Sequence, residues 1–236
     1  MQLAIDTSTD TASLALADDC RILAELTWRC GQNHTTTLLP NLNDLLRQAG
    51  IELKAITGII VARGPGSYNG LRVGISAAKG LAFSLNVPLT GISTLEAMAY
   101  QHAATGLPVC PILKAGRTEI AAARYQMIQG QWQELTSAHI TTVEALCAGI
   151  DTRTIFCGEI TANARQTLSD ALKEMAVIPS DSANLRRAGF LVELGKIKID
   201  AGKCDTPTTL SPIYLRRPHI TKPNKDKNIA WGKYGN

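Results

Sequence analysis

At residues 64–74 the chain reads Gly-Pro-Gly-Ser-Tyr-Asn-Gly-Leu-Arg-Val-Gly. This glycine-rich stretch follows a continuous apolar run at residues 58–62, which is typical of a strand covered on both faces. A helix is predicted over residues 70–84, with Asn69 as its N-terminal cap. The next strand is predicted at residues 87–92, and the order strand, loop, helix, strand is a parallel crossover unit. The stretch therefore indicates an α/β fold.

The loop matches none of the standard phosphate-binding or nucleophile motifs. No Gly-Lys-Ser/Thr follows Gly64, so the loop is not a P-loop. Its glycine spacing misses the dinucleotide fingerprint by one residue. Ser67 lacks the glycine two residues later that a hydrolase nucleophile elbow has. A tight strand-to-helix corner is the simplest interpretation, and anion binding through backbone N–H groups remains an alternative.

The rest of the chain repeats one order of elements. Three strands are predicted at the start of each half, at residues 2–8, 11–17 and 21–29 and again at residues 109–113, 119–127 and 131–135. Helices follow near residues 36–48, 94–104, 143–148 and 161–174, with a strand at residues 154–157. We interpret this order as an internal duplication, in which two similar lobes face each other across a cleft. The predicted domains are a first lobe at residues 1–105, a second lobe at residues 106–218 and a basic tail, expected to be flexible, at residues 219–236.

Composition is that of an ordinary globular protein, with 45% hydrophobic and 19% charged residues. No apolar run reaches the roughly 18 residues of a membrane span, and the N-terminus lacks the basic region of a signal peptide. We therefore expect a cytoplasmic protein without membrane contact. The six cysteines form no Cys-x-x-Cys pair, and none of the four histidines has a second ligand at metal-binding spacing. Free thiols and no metal site are expected.

Charge is concentrated at the C-terminus. The formal net charge of the chain is +4, which is too small to prove a nucleic-acid partner. Between Arg216 and Lys233, however, lysine and arginine are opposed only by Asp226. Such a tail could contact phosphate by counterion release. A solvated terminus is the favoured interpretation, and contact with nucleic-acid phosphate stays open.

The helices predicted at residues 36–48 and 70–84 each have a face of distinctive composition. The first helix places leucines at positions 38, 39, 42, 45 and 46 on one side. The second is rich in small residues, and each glycine inside a helix costs about 1 kcal/mol relative to alanine. Tolerating these glycines indicates that another backbone packs very closely on the helix. That neighbour could belong to the same lobe or to another protein chain, and an uncovered leucine face would be a subunit interface.

The segment Asp-Thr-Ser at residues 6–8 ends the first predicted strand. In a two-lobed nucleotide cleft a carboxylate at this place holds a hydrated metal ion, and the duplicated lobe should supply a second acid. Alignment of the two halves puts Lys114 opposite Asp6. A lysine cannot bind magnesium, although it could bind phosphate, so metal-assisted phosphoryl transfer is disfavoured. Alternatively, Asp6 is a turn acid bonded to nearby backbone N–H groups.

Five segments spread along the chain carry a resemblance to a known family. They are Ala-Ile-Asp-Thr-Ser-Thr at residues 4–9, the segment from His34 to Pro40, the glycine-rich stretch at residues 64–74, Gly-Ile-Ser-Thr-Leu at residues 91–95 and Pro-Ile-Tyr-Leu-Arg at residues 212–216. Together these segments resemble the TsaB family of bacterial tRNA threonylcarbamoyladenosine biosynthesis proteins. The glycine-rich stretch is the most specific of them.

The resemblance implies a fold of two duplicated ribonuclease-H-like lobes facing a cleft, the actin-like ATPase (ASKHA) fold, that has lost its catalysis. Members of the family resemble the TsaD transferase, whose helical His-x-x-x-His pair binds a metal. Here His34 keeps one member of that pair and Leu38 replaces the other. The resemblance further implies a scaffold that pairs with TsaD and, with the TsaE ATPase, supports transfer of a threonylcarbamoyl group to adenosine 37 of tRNAs that read ANN codons. This chain would then meet tRNA indirectly, through the complex.

The resemblance also implies which residues matter. The partner interface would lie on the two helices of the first lobe, with His34, Leu38, Leu39, Leu42, Leu45, Leu46, Gly70, Arg72, Val73, Gly74, Ala77, Ala78 and Leu81. No catalytic residue and no cofactor of its own are implied. Vestigial nucleotide or phosphate contacts are an alternative for Asp6, Thr7, Ser8, Gly64, Gly66, Ser67 and Lys114, with a nucleotide at the partner interface. A homodimer through the same helices is another alternative.

Two enzyme classes compete with the scaffold interpretation. A small kinase or ATPase of the actin-like superfamily needs a second cleft acid, where this chain has Lys114. A metallopeptidase-like homologue needs the histidine pair that Leu38 breaks. The chain also departs from the family at residues 114–119, which read Lys-Ala-Gly-Arg-Thr-Glu where relatives usually have Asp-Ala-Arg-Arg-Gly-Glu.

Overall fold

Two five-stranded sheets, each covered by helices, make up the part of the chain that the computed structural model describes, residues 1–19 and 21–216. The predicted tail at residues 219–236 lies outside the described residues. Among the helices of the described part, none is both long and apolar enough to cross a membrane.

The first sheet is built around a fully buried central strand. Its strands are β1 (Gln2–Asp6), β2 (Thr11–Asp18), β3 (Arg21–Arg29), β4 (Gly58–Ala62) and β5 (Leu89–Ile92), in the order β3-β2-β1-β4-β5. The first three form an antiparallel meander, and β4 and β5 add to it in parallel. Ile5 pairs with Leu14 on one side and with Val61 on the other. Every residue of β4 is buried, so the prediction of a strand covered on both faces is confirmed.

The second sheet repeats this order. Its strands are β6 (Val109–Lys114), β7 (Ile120–Ile128), β8 (Gln131–Thr141), β9 (Thr154–Gly158) and β10 (Ala176–Val177), in the order β10-β9-β6-β7-β8. The meander β6-β7-β8 corresponds to β1-β2-β3, and the parallel strands β9 and β10 correspond to β4 and β5. The prediction of two duplicated α/β lobes is therefore confirmed. The strand β10 was not predicted from the sequence.

Six α-helices cover the sheets. They are α1 (His34–Ala49), α2 (Tyr68–Leu85), α3 (Thr94–Tyr100), α4 (Val143–Ala148), α5 (Ala162–Leu172) and α6 (Gly189–Asp200), all within the described residues. The leucines of α1 and the small residues of α2 share one core with β1, β2 and β4. Helices α4 and α5 cover one face of the second sheet. Helix α3 packs against both sheets and so joins the two lobes.

The last helix, α6, was not predicted from the sequence. It packs on the face of the first sheet opposite α1 and α2, although it lies within the second lobe predicted at residues 106–218. The approach is close: a Cβ added at Gly195 would lie 2.5 Å from the side chain of Ile60. A chain segment far from the first lobe in sequence thus completes its core, while the boundaries of the folding units stay a prediction.

The start of α1 was predicted two residues too late. The helix begins at His34, so Pro40 lies inside it. Proline removes the hydrogen bond to the carbonyl four residues earlier, at Thr36. Both residues are exposed, so water can reach that carbonyl. The helix ends before Gly50, which adopts the left-handed conformation at the C-terminal cap.

The described cysteines form no disulfide. Cys30, Cys110, Cys147 and Cys157 are buried, whereas Cys204 is exposed. Burial raises the pKa of the Cys110 thiol to about 12, so this thiol is unreactive at neutral pH. Within residues 1–19 and 21–216, no cluster of three or more histidine, cysteine or acidic side chains could hold a metal ion.

The N-terminal cap of α2 is Ser67, and the prediction of Asn69 as the cap was wrong. The Ser67 hydroxyl accepts a hydrogen bond from the N–H of Gly70 at 3.3 Å. Asn69 lies inside the first turn instead, since α2 begins at Tyr68.

We expect Ser67→Ala to lower the free energy of unfolding by about 1 kcal/mol, because the N–H of Gly70 loses its acceptor. Asn69→Ala is the matched control and should change it by less than about 0.5 kcal/mol, as is usual for an exposed side chain. Urea unfolding of both variants measures the difference. Equal losses in the two would contradict the assignment of the cap.

Candidate functional site

The candidate cleft lies between the carboxyl ends of two equivalent strands. Asp6 is the last residue of β1, and Lys114 is the last residue of β6. Because the two sheets have the same strand order, these residues occupy corresponding positions in the two lobes. The structure thus places Lys114 where the sequence alignment of the halves put it.

Asp6 is a buried and fully engaged carboxylate. Only 1% of the residue is exposed. Its Oδ1 accepts hydrogen bonds from the Ser8 backbone N–H at 2.9 Å and from the Ser8 hydroxyl at 2.6 Å. Its Oδ2 lies 2.8 Å from the Nε of Arg186 in an ion pair. Both carboxylate oxygens of Asp6 are therefore engaged by groups of the protein.

Arg186 is the functional residue that sequence reasoning missed. Its side chain is 9% exposed, and one terminal nitrogen donates hydrogen bonds to the hydroxyl of Thr9, at 2.7 Å, and to the carbonyl of Thr11. The arginine precedes α6, so it reaches Asp6 only because that part of the chain returns to the first sheet. No local motif could have indicated this pairing.

The glycine-rich loop is closed against the turn that follows Asp6. The Ser67 N–H donates to the carbonyl of Ser8 at 2.6 Å, and a Cβ at Gly66 would collide with the same carbonyl oxygen. Gly64 has a positive φ of 103°, and a Cβ there would lie 2.8 Å from the carbonyl oxygen of Ile213. The loop is thus the tight strand-to-helix corner, and its Ser67 N–H is not free for an anion.

Two glycines of α2 allow the helix to approach the same turn. The Thr7 hydroxyl donates to the carbonyl of Gly70 at 2.7 Å. A Cβ at Gly70 would collide with the Thr7 carbonyl oxygen, and one at Gly74 would collide with the Thr7 hydroxyl. The close neighbour that these glycines indicated is therefore the same lobe, not another chain.

His34 is part of this packing as well. It is 3% exposed, and its Nε2 lies 2.8 Å from the carbonyl oxygen of Thr9. A Cβ at Gly70 would lie 3.0 Å from that nitrogen. The contact between His34 and Thr9 thus holds the start of α1 against the turn after β1, and the imidazole does not face solvent.

The predicted interface residues divide into two groups. The buried group packs inside the first lobe, and its place at a partner interface stays a prediction: His34, Leu38, Leu42, Leu45, Leu46, Gly70, Gly74 and Ala78. These residues hold α1 and α2 on the core of the first lobe. The accessible group keeps the prediction open: Leu39, Arg72, Val73, Ala77 and Leu81.

Two further accessible residues of α2 were not selected from the sequence as interface residues. Phe83 is 81% exposed, which is unusual for a phenylalanine. Gly80 is exposed inside the helix, and a Cβ added there would meet nothing within 4 Å. A glycine inside an exposed helix costs about 1 kcal/mol relative to alanine, and no contact within the described residues requires it. We call the accessible set the outer helical surface: Leu39, Arg72, Val73, Ala77, Gly80, Leu81 and Phe83.

A cavity of about 310 Å³ lies between the start of α2 and the second lobe. Tyr68 at the start of α2 and Tyr214 form one wall, with ring centroids 5.3 Å apart, and the guanidinium of Arg72 lies 5.2 Å from the Tyr68 ring. Lys114 also lines this cavity and, within the described residues, forms no ion pair. Burial raises the pKa of the Tyr214 hydroxyl. Among the described residues, the lining of the cavity contains two tyrosine rings and the Lys114 ammonium group but no carboxylate.

The arrangement of the two lobes identifies the fold to which this protein belongs. Two lobes of one strand order around a cleft form the actin-like fold, and a ROK hexokinase from Thermus thermophilus shares it with a TM-score of 0.51. That likeness covers 84% of this chain and 99% of the hexokinase at 13% identity, so it shows the fold alone.

Closer relatives give the family. The family model "TsaD: tRNA N6-adenosine threonylcarbamoyltransferase" matches residues 28–212. The chain is 30% identical to the tRNA threonylcarbamoyladenosine biosynthesis protein TsaB of Bacillus subtilis, over 91% of this chain and 93% of that protein. It is also 30% identical to TsaB of Escherichia coli, over 98% of this chain and 96% of that protein. The structure of YeaZ from Pseudomonas aeruginosa matches with a TM-score of 0.76 and 27% identity, over 91% of this chain and 99% of YeaZ. The chain belongs to the TsaB family.

Proposed function

We propose that this chain is a non-catalytic scaffold that binds and supports a TsaD-type transferase in forming N6-threonylcarbamoyladenosine at position 37 of tRNAs that read ANN codons. A TsaE-type ATPase is the third member of the proposed assembly, which would work in the cytoplasm. The chain then meets tRNA through the complex.

The observation that carries the proposal is the outer helical surface in a chain of this family. Relatives that cover nearly its whole length are named for threonylcarbamoyladenosine biosynthesis, and the matching family model is that of the transferase. An interface between packed helices needs a side chain that fills a pocket of the partner and a position where the two backbones can approach closely. Phe83 is suited to the first role and Gly80 to the second.

The cleft supports a non-catalytic role. Asp6 is paired with Arg186, and both of its carboxylate oxygens are engaged by protein groups. The corresponding position in the second lobe is Lys114, which cannot hold magnesium. A kinase or ATPase of this fold would need both places for metal and phosphate, so this alternative is less well supported.

Two finer points belong to the same proposal. A nucleotide at the partner interface would meet Tyr68, Lys114 and the other residues of the 310 Å³ cavity rather than Asp6. A homodimer through the outer helical surface is the second candidate, because a surface suited to a related two-lobed partner can also pair with its own copy.

Co-purification with the TsaD-type transferase of the same organism tests the proposal. We expect a stoichiometric complex by size-exclusion chromatography at low salt, and transfer activity that requires this chain. Size measured on this chain alone over a range of concentrations detects the homodimer. The absence of any complex at low salt, or full transferase activity without this chain, would overturn the scaffold role.

A further inference from the structure

The two lobes of this protein meet where α3 packs on the second sheet. Leu95 and Met98 of α3 belong to one buried cluster with residues of β6, β7 and β9. Within this contact the thiol of Cys157 lies 3.6 Å from the carbonyl oxygen of Met98, and a Cβ added at Gly158 would collide with the Met98 side chain. Apolar packing has no preferred direction, so it does not by itself fix the angle between the lobes.

Residues 181–188, between β10 and α6, contact both lobes, and we call them the interlobe loop. The side-chain amide of Asn184 forms two hydrogen bonds with Gly158 at the end of β9. Its nitrogen donates to the Gly158 carbonyl and its oxygen accepts from the Gly158 N–H, both at 2.7 Å. The guanidinium of Arg186 pairs with Asp6 of the first lobe. The loop therefore crosses the cleft between Asn184 and Arg186.

The C-terminal end of the interlobe loop is fixed on the first lobe by further bonds. The N–H of Ala188 donates to the hydroxyl of Ser13 at 2.8 Å, and both residues are fully buried. Arg187 forms an ion pair with Glu25, and the same carboxylate accepts from the N–H of Gly189 at 2.7 Å. Because Ser13 and Glu25 lie on β2 and β3, this end of the loop follows the first sheet in any movement of the lobes.

On the second lobe, the attachment of the interlobe loop depends on Asn184. Asp181 also lies 3.4 Å from Arg165 of α5, but its side chain is 99% exposed, and such ion pairs contribute little. The amide of Asn184 instead satisfies both backbone groups of Gly158 at a half-buried position. Both of these bonds would have to break if the second lobe rotated away while Arg186 stayed in place.

The chain crosses the cleft again after α6. The N–H of Ile213 donates to the carbonyl of Arg63 in the first lobe at 2.7 Å, and Arg216 forms an ion pair with Glu119 in the second lobe. This crossing lines the cavity of about 310 Å³, whereas the interlobe loop lines a second cavity of about 440 Å³. The two crossings thus hold the cleft at separate places.

We infer that the interlobe loop is a conformational lock, which holds the two lobes at one opening of the cleft, with Asn184 as the positioning residue on the second lobe. Two-lobed proteins that close around a ligand do so at hinges, where a few residues absorb the change in backbone angles. Here the segment that bridges the lobes is bonded to both of them instead. The lock goes beyond the scaffold role and acts in the isolated chain, because it uses no contact with a partner.

Two buried cysteines of the second sheet allow the lock to be tested. Cys157 faces α3 in the contact between the lobes, whereas Cys110 faces α4 and α5 within the second lobe. Neither residue is more than 1% exposed. A buried thiol reacts with a reagent only in molecules in which it has become exposed, so its labelling rate measures the ratio of open to closed molecules. Cys157 thus reports separation of the lobes, and Cys110 reports unfolding of the second lobe itself.

Asn184→Ala should raise the labelling rate of Cys157 about 30-fold, because two hydrogen bonds of ordinary strength no longer oppose the separation of the lobes. The labelling rate of Cys110 should change by no more than about twofold. Asn163→Ala is the matched control, since Asn163 is exposed on α5 and lies outside the interlobe loop. In the control, both rates should stay within about twofold of those in the unaltered chain.

The measurement uses the full chain without a partner. The protein is incubated with excess iodoacetamide under native conditions, and peptide mass spectrometry gives the labelling rate of each cysteine separately. Cys204 is exposed, so it provides the rate of an unprotected thiol in the same molecule.

A selective rise at Cys157 in Asn184→Ala supports the lock. An unchanged rate at Cys157 would overturn it, because the lobes would then be held together without the loop. Equal rises at Cys157 and Cys110 would overturn it too, since the variant would then unfold the second lobe rather than release it. So would a Cys157 rate in the unaltered chain close to that of Cys204, since the lobes would already separate freely. None of these results bears on the complex with the transferase, which co-purification tests independently.

Discussion

Gly80→Arg is expected to abolish binding to the TsaD-type transferase while raising the free energy of unfolding of this chain by about 0.5 to 1 kcal/mol. The gain arises because arginine is among the better helix formers and glycine among the worst. Position 80 has open space around it, so the fold does not oppose the larger side chain. A partner helix that packs closely on this position cannot accommodate arginine, and we expect its affinity to fall at least about 100-fold, as for the loss of a hot spot.

Gly80→Arg should weaken partner binding while it stabilises the fold, so a loss of affinity could not be attributed to unfolding. Isothermal titration calorimetry with the purified transferase gives the affinity, and urea unfolding of the isolated chain gives the stability. Gly74→Ala is the matched control: its Cβ would collide with the Thr7 hydroxyl, so we expect a loss of about 1 to 3 kcal/mol in stability. Its affinity for the partner should be kept, since Gly74 is buried. An unchanged affinity in Gly80→Arg would remove α2 from the interface.

Phe83→Ala tests the same surface by deletion. The ring is 81% exposed in the free chain, so its removal should leave the stability nearly unchanged. If the ring fills a pocket of the partner, affinity should fall at least about 30-fold, the effect of a hot spot of about 2 kcal/mol. A fall below threefold would show that Phe83 lies outside the interface.

Apart from β10, the succession of strands along both lobes could be predicted from the sequence, because strands and helices differ in the period of their hydrophobic residues. The buried strand at residues 58–62 is a continuous apolar run, and the turn at Gln129 and Gly130 adopts the positive φ angles that a tight hairpin requires. Helix α6 could not be recognised, since it is buried against the first sheet on several residues in succession and lacks a clear polar face.

The site was harder to predict, for two physical reasons. Small residues in a helix indicate close packing but not which neighbour packs there: Gly74 makes room for Thr7 of its own lobe, whereas Gly80 faces open space. The state of Asp6 depends on Arg186, which is distant in sequence and arrives through tertiary structure alone. The local pattern at residues 6–8 left open whether Asp6 is a metal-binding carboxylate or a turn acid, and it could not reveal that the carboxylate is already paired.

The ion pair between Asp6 and Arg186 predicts a large loss of stability when the arginine is removed. Arg186→Ala should lower the free energy of unfolding by about 3 to 5 kcal/mol at neutral pH, because it leaves a buried carboxylate without its counter-charge. The hydroxyl of Thr9 and the carbonyl of Thr11 lose their donor in the same variant. For a chain of this size the midpoint of thermal unfolding should fall by roughly 10 °C.

Two comparisons separate the buried charge from the loss of packing. Arg187→Ala removes the neighbouring arginine, whose ion pair with Glu25 is half exposed, and it should cost no more than about 1 kcal/mol. Arg186→Met combined with Asp6→Asn removes both charges while keeping most of the volume, and it should recover a large part of the loss seen in Arg186→Ala. Differential scanning calorimetry of the four proteins measures these differences. If Arg186→Ala and Arg187→Ala were equally mild, Asp6 would not depend on the guanidinium. The cleft could then release the arginine and admit a cation, and the structural argument for a non-catalytic cleft would fall.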